Sequence, residues 1–249
     1  MSVSASMIRI LGVPVHSISM ADAVEAVVER AHGPELSQFA FVNAHCLNIA
    51  VENEDYRAVL ERAPWVFPDG SGVRYASKMV GTPVLENVNG TDMFPILCAR
   101  LADEGISVFL LGGEPDVNEK VVNKVRARHP KLHIAGAHHG FFADDREVVH
   151  EIASSEADVL LVAMGVPEQE IWIDRYKDEL GVNAAIGVGG LFDFVAEKFE
   201  RAPSFVRRLG FEWLYRLSQD PKSKWRRYVL GNPVFLWRAC RWAMSEVAR

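Results

Sequence analysis

Two uninterrupted apolar runs constrain this chain most. Ser107-Val108-Phe109-Leu110-Leu111 and Asp158-Val159-Leu160-Leu161-Val162-Ala163-Met164 carry no polar residue after the first. Each runs into a turn, Gly112-Gly113 and Gly165-Val166-Pro167. A half-exposed strand alternates apolar and polar residues, so a continuous run is the mark of a strand covered on both faces. Shorter strands are expected at 8–14, 39–43, 65–67, 133–136 and 184–188. Helical spacing fills the gaps at 19–30, 44–62, 71–80, 93–104, 118–129, 146–154 and 168–180. Strands that alternate with helices need crossover connections, and crossovers give parallel pairing.

The expected fold class is therefore α/β and Rossmann-like: a largely parallel sheet covered by helices on both faces, with a C-terminal helical basic appendage. The pattern changes after Arg201-Ala202-Pro203 to helices rich in Arg, Trp and Phe. A boundary is placed there, dividing an α/β domain, 1–200, from an Arg/Trp-rich appendage, 201–249. Charge divides at the same point. The appendage holds nine Arg and two Lys against Glu212, Asp220 and Glu246, a net +8, while the first 200 residues carry −14 of the chain's −6. A basic tail on an acidic body points to an anionic partner: phosphates, an anionic membrane or nucleic acid. Cys46, Cys98 and Cys240 are odd in number and far apart, which disfavours a disulfide framework or a metal site. No basic-then-apolar leader is expected at the N-terminus, and no run approaches the ~18 apolar residues of a membrane span.

Candidate chemistry gathers at the strand ends. Asn43, Asp69-Gly70, Gly112-Gly113-Glu114, Gly165-Val166-Pro167-Glu168-Gln169 and Gly187-Val188-Gly189-Gly190 all follow predicted strands. Glycines there let backbone N–H groups and a helix N-terminus approach a phosphate, and in open α/β sheets ligands collect on that edge. In Pro68-Asp69-Gly70-Ser71-Gly72 the proline stops a strand and the glycines allow a sharp turn, which puts Asp69 at the mouth of the sheet. Asp69 could also be a turn residue or a helix N-cap. Neither a Gly-x-Gly-x-x-Gly nor a P-loop pattern occurs at these turns. His138-His139 lacks a partner at ligand spacing and is read as a polar loop, and no Asp-x-Asp triplet occurs, so no metal is expected.

In order, the chain carries Pro68-Asp69-Gly70-Ser71-Gly72-Val73, Gly90-Thr91-Asp92-Met93-Phe94, Val108-Phe109-Leu110-Leu111-Gly112-Gly113 and His138-His139-Gly140-Phe141-Phe142. Gly165-Val166-Pro167-Glu168-Gln169-Glu170, Gly187-Val188-Gly189-Gly190-Leu191-Phe192-Asp193, Arg201-Ala202-Pro203 and Gly210-Phe211-Glu212-Trp213-Leu214-Tyr215-Arg216-Leu217 follow. This ordered set resembles the WecG/TagA/CpsF glycosyltransferases of bacterial surface-polysaccharide synthesis. The resemblance implies transfer of a sugar from a UDP-sugar to a polyprenyl-diphosphate-linked saccharide at the inner face of the cytoplasmic membrane. It implies inversion, with no bound metal and no cofactor. Asp69 is then the general base, which suits an inverting transfer. Gln169 matches an active-site glutamine that could hold a sugar or phosphate oxygen, and Asp193 a nucleoside contact. Asn43, Gly112, Gly113, Phe141, Gly165 and Gly189 complete the implied donor surface.

Two positions depart from the family pattern. Phe41 stands where Thr is common and Asn87 where Arg is common, and Asn89 is the candidate to replace the lost donor group. These changes count against an N-acetylmannosamine donor and keep glucose, a uronic acid or another hexose open. They also keep open a non-catalytic nucleotide-sugar-binding regulator of the same fold. In the tail, Arg216, Arg226 and Arg227 match appendage arginines, and guanidinium forks suit a diphosphate. Residues 234–247 mix Phe235, Trp237 and Trp242 with Arg238 and Arg241, the composition of a helix lying on an anionic membrane. A core helix or a homo-oligomer contact is the alternative for that segment. Nucleic acid has no second feature in its favour.

Overall fold

The computed structural model describes residues 5–247. Residues 1–4, read above for a leader, and Arg249, counted in the tail charge, lie outside the described residues. The chain opens with an antiparallel hairpin, β1 (Ser6–Ile10) and β2 (Val13–Ser17), where a single strand was expected. Leu11 and Gly12 take φ of 52° and 87° and fold the run back on itself. Two consecutive positive φ values are what a two-residue hairpin turn requires.

Six further strands follow: β3 (Ser37–Val42), β4 (Trp65–Pro68), β5 (Val108–Gly112), β6 (Ile134–His138), β7 (Val159–Ala163) and β8 (Ala184–Gly187). They form one sheet in the order β4-β3-β8-β7-β5-β6, with every neighbouring pair parallel. The hairpin lies against the β4 edge, where Val66 N–H donates to His16 Nδ1 at 3.1 Å.

Both faces of the sheet are covered, as the continuous runs predicted. Along β5, Val108 and Leu110 join one buried cluster while Phe109 and Leu111 join another on the opposite face. The expected helix over 44–62 is two helices, Ala44–Glu52 and Glu54–Arg62. Asn53 ends the first and caps the second, its Oδ1 accepting Tyr56 N–H at 2.9 Å. The connection leaving β5 runs outward to β6, and the one leaving β7 runs the other way to β8. The crevice of the sheet therefore opens at the carboxyl ends of β5 and β7.

From Ser204 the chain is helical: Ser204–Arg208, Glu212–Gln219, Pro221–Trp225, a π-helical turn Arg226–Leu230, and Gly231–Val247. Its start is clamped by Asp92, whose Oδ1 meets Arg201 Nη2 at 2.7 Å and Arg207 Nη1 at 3.4 Å. Its last helix returns to the body. Phe235 and Ala239, each 1% exposed, sit in a cluster with Val42, Leu47, Val73 and Ala76, and Trp242 packs against that cluster. Spacings of four and three put these three residues on one helix stripe. Burying a phenylalanine side chain is worth about 1.5–3 kcal/mol. Val234, Leu236, Trp237 and Met244 remain exposed. Among the described residues no helix is long and apolar enough to cross a membrane.

Candidate active site

Asp69 follows β4 directly. It occupies the N-cap position of helix Gly70–Met79, with φ −115° and ψ 125°, yet its side chain makes no cap hydrogen bond. An aspartate placed there to cap would accept a backbone N–H of the first turn. Its Oδ2 instead accepts Asn43 Nδ2 at 3.3 Å. The backbone is pinned on both sides: Asp69 N–H donates to Val42 O at 2.9 Å, and Gly70 N–H to Asn87 Oδ1. Gly70 has φ +87°, a conformation that favours glycine. Burial pushes the Asp69 carboxyl above its ordinary pKa; Arg216 and the Asn43 hydrogen bond pull it down, Glu212 pushes it up, and Arg227 pulls it down. A desolvated carboxylate with a raised pKa is a stronger base.

Two cavities meet at this carboxylate. The larger, about 550 Å³, spans the carboxyl ends of the strands. The smaller, about 280 Å³, lies between helix Gly70–Met79 and the tail. Asn43, His45, Asp69, Glu212, Arg216, Arg227 and Tyr228 border both. Of the predicted residues, Asn43, Asp69, Asn89, Gly113, Phe141, Gly165, Gln169, Gly189, Asp193, Arg216 and Arg227 line the larger cavity. Asn87 faces the smaller one. Gly112 and Arg226 line neither. Gly112 is a packing glycine instead: at φ +127° it approaches β7 so closely that a Cβ would fall 2.4 Å from Ala163 O. Arg226 lies over the Trp225 ring, 5.5 Å from its centroid.

Two further predicted residues also have partners within the protein. Gln169 was expected to hold a sugar or phosphate oxygen, but it is only 2% exposed and its amide is engaged within the protein. Its Oε1 accepts Gly165 N–H at 3.2 Å and Gly189 N–H at 2.9 Å, and its Nε2 donates to Glu170 Oε1 at 2.6 Å. Gln169 therefore ties the turn after β7 to the turn after β8 while lining the larger cavity. Asn89 was expected to offer a free donor group, but it caps helix Gly90–Glu104, accepting Asp92 N–H and donating to Asp92 Oδ2 at 2.7 Å.

The cations come mainly from the tail. Arg227 Nε is buried and has no hydrogen-bond partner, which is costly for a charged donor unless a ligand supplies the acceptor. Lys224 shares the larger cavity, and burial and then Arg227 lower its pKa. His45 was not anticipated. Burial first, then Arg227 and Lys224, push its pKa down to about 4, so it is neutral at pH 7. Asp193 has its pKa raised by burial, against the pull of Lys198 3.8 Å away. Among the described residues no group of three His, Cys, Asp or Glu side chains is arranged to hold a metal.

A half-buried carboxylate between two cavities at the ends of parallel strands, faced by tail cations, is the centre of a Rossmann-like α/β enzyme site. A model of the Glycosyl transferase WecG/TagA/CpsF family matches residues 8–249, and the chain belongs to that family. It is a glycosyltransferase. It is similar to the N-acetylglucosaminyldiphosphoundecaprenol N-acetyl-beta-D-mannosaminyltransferase of Bacillus spizizenii strain W23, at 38% identity over 187 residues, 75% of this chain and 72% of the relative. It is also similar to the protein of the same name from Bacillus subtilis strain 168, at 34% identity, covering 78% of this chain and 75% of the relative.

Proposed function

We propose that the chain moves a hexose from a UDP-sugar to a polyprenyl-diphosphate-linked saccharide, with inversion and without a bound metal. The observation that carries this reading is that Asp69 borders both cavities. A donor in the larger cavity and an acceptor in the smaller would meet at its carboxylate. The larger volume, about 550 Å³, is in the range of sites for molecules of this size. Asp69 takes the acceptor hydroxyl proton as that oxygen bonds to the anomeric carbon. The bond from that carbon to the phosphate oxygen breaks on the opposite face, and its electron pair leaves with UDP. Arg216, Lys224 and Arg227 hold the charge that develops on the diphosphate.

The acceptor class is read from the names of the two relatives, which act on an undecaprenyl-diphosphate-linked sugar. Such an acceptor lies in a membrane. The exposed Phe205, Leu209, Leu214, Leu236 and Trp237 of the tail are the surface proposed to rest on its inner face. The working division is thus 1–200 for donor and base, and 201–249 for diphosphate and membrane. The donor hexose stays open, because the Phe41 ring lines the larger cavity and Asn87 is engaged by Gly70.

Asp69→Asn tests the reading. UDP release is measured with a lipid-linked acceptor in EDTA. The variant should keep its fold and UDP binding and lose about 10²–10⁴-fold in kcat, the usual range for a missing general base. Near-normal turnover would remove Asp69 from the mechanism, and dependence of the wild type on added divalent metal would remove the metal-free step.

A further inference from the structure

Glu212 is a carboxylate in a site proposed to receive a diphosphate, and no part of that chemistry uses it. It opens helix Glu212–Gln219 and borders both cavities beside Asp69. Its Oε1 accepts Arg216 Nη2 at 2.6 Å and Nε at 3.2 Å, one helical turn on. The face of the same guanidinium rests on Phe194, with Cζ 4.4 Å from the ring centroid. Arg216 is thus gripped along one edge and one face, leaving the Nη1 edge of the fork for a ligand oxygen.

We propose that Glu212 is a positioning residue that keeps Arg216 from pairing with Asp69, so that the guanidinium serves the diphosphate and the carboxylate stays free to take a proton. The inference rests on the reading of Asp69 as the base. Arginine and aspartate in one small space pair readily, since an opposite charge within ~4–6 Å favours the ionised carboxylate. Arg216 already pulls the Asp69 pKa down, while the charge of Glu212 pushes it up. Without Glu212 both effects act in one direction, toward a weaker base. Other groups around Asp69 are held constant by the comparison. They are Arg227 and Tyr228 from the π-helical turn, His45 and Cys46 from helix Ala44–Glu52, and Arg74 and Arg207 on the smaller cavity.

The test compares kcat against pH for Glu212→Gln, Glu212→Ala and the double variant Glu212→Ala/Arg216→Ala. The full chain is used with UDP-sugar and lipid-linked acceptor. Both single variants should lose about 10-fold or more in kcat, a positioning-sized effect, and move the acid limb of the profile down by about one pH unit or more. The double variant should move the limb back up while kcat stays low, because the pairing partner is gone along with the diphosphate contact. Loss of packing alone would not move a titration and then restore it. Glu212→Gln is close to isosteric and carries the test if the alanine variant does not fold. An unmoved limb in Glu212→Gln, or a double variant whose limb stays low, overturns the inference while an inactive Asp69→Asn leaves the base intact. An active Asp69→Asn overturns the base and this inference with it.

Discussion

Phe235→Ala asks whether the tail is part of the catalytic site. The ring is 1% exposed and lies so close to helix Gly70–Met79 that a Cβ on Gly72 would sit 3.3 Å from Phe235 Cε1. Truncating a buried phenylalanine costs about 3–5 kcal/mol. That loss falls on the docking of helix Gly231–Val247, because the ring belongs to the cluster beneath that helix and not to the clusters around β5 and β7. At 1.4 kcal/mol per factor of ten, even 3 kcal/mol shifts the docked-to-undocked ratio by roughly 10²-fold. The remaining anchors include Ala239, Trp242, the Asn48 Nδ2 bond to Gly231 O at 2.8 Å, the Arg238 bonds to Asn48 at 3.1 Å and the Arg238 pair with Glu52 at 2.5 Å. Arg227 lies in the turn that leads directly into this helix, so its place in both cavities depends on that docking. The variant should therefore lose about 10-fold or more in kcat/KM for UDP release, and amide exchange should accelerate across 231–247 while β5 and β7 stay protected. Faster exchange with full activity would refute the reasoning, since Arg227 would then be dispensable. A truncation after Glu200 is a poorer probe, because it uncovers the same cluster.

Two more outcomes are expected. Glu170 is 0% exposed, and burial pushes its carboxyl from an ordinary 4.5 up to about 8. Between those values the unfolded chain is ionised while the folded chain holds its proton, so stability falls as pH rises through that window. The full effect is about 4 kcal/mol at pH 8 as an upper bound. Glu170→Gln keeps an acceptor for Gln169 Nε2 and removes the titration, so urea unfolding should favour it more at pH 8 than at pH 5; an equal difference at both would sink the argument. Trp237, 58% exposed, should matter only for the membrane. Trp237→Ser should weaken binding to anionic phosphatidylglycerol vesicles yet spare turnover on a short water-soluble acceptor, and unchanged vesicle binding would dismiss that surface. Trp242 is left out of this test because it packs against the body.

What the sequence revealed depended on whether one stretch carried the signal. β5 and β7 were legible because a continuous apolar run has only one comfortable place, the middle of a covered sheet. Asp69 was legible because Pro68 and Gly70 bracket it with a strand stop and a turn. The break at Asn53 was not, since Glu52-Asn53-Glu54 is polar throughout and helical spacing resumes at once. The hairpin had its signal in Leu11-Gly12, but the run to Pro14 masks it as one strand. Roles set by partners distant in sequence were illegible. Gln169 and Glu170 look like part of the polar first turn of a helix until β8 is laid beside them. Glu212 looks the same until Arg216 and Asp69 share its space. Arg226 and Arg227 differ by one position, and about 100° of rotation on a helix decides which one reaches the cavity.

The tail supplies what the body lacks. On the strand-end edge the body brings Asp69, Asp193 and Glu114. Lys198 lines the cavity from the body, but it is tied to Glu114 at 2.9 Å and lies 3.8 Å from Asp193. An edge of that sign repels a diphosphate. Arg216, Lys224 and Arg227 offset that sign, and all three arrive from beyond residue 200, together with the carboxylates Glu212 and Asp220. The neutral His45 registers the nearby tail cations, its pKa held down by burial and then by Arg227 and Lys224, and the buried Arg227 Nε still lacks an acceptor. Positive charge gathered around desolvated groups is stable only when something anchors it, and here the anchors are Asp92 on Arg201 and Arg207 and the Phe235 cluster. The charge asymmetry along the chain is therefore a division of labour in the site. In the proposed mechanism the acidic body carries the base, and the basic tail makes room for the anion that the base must act beside.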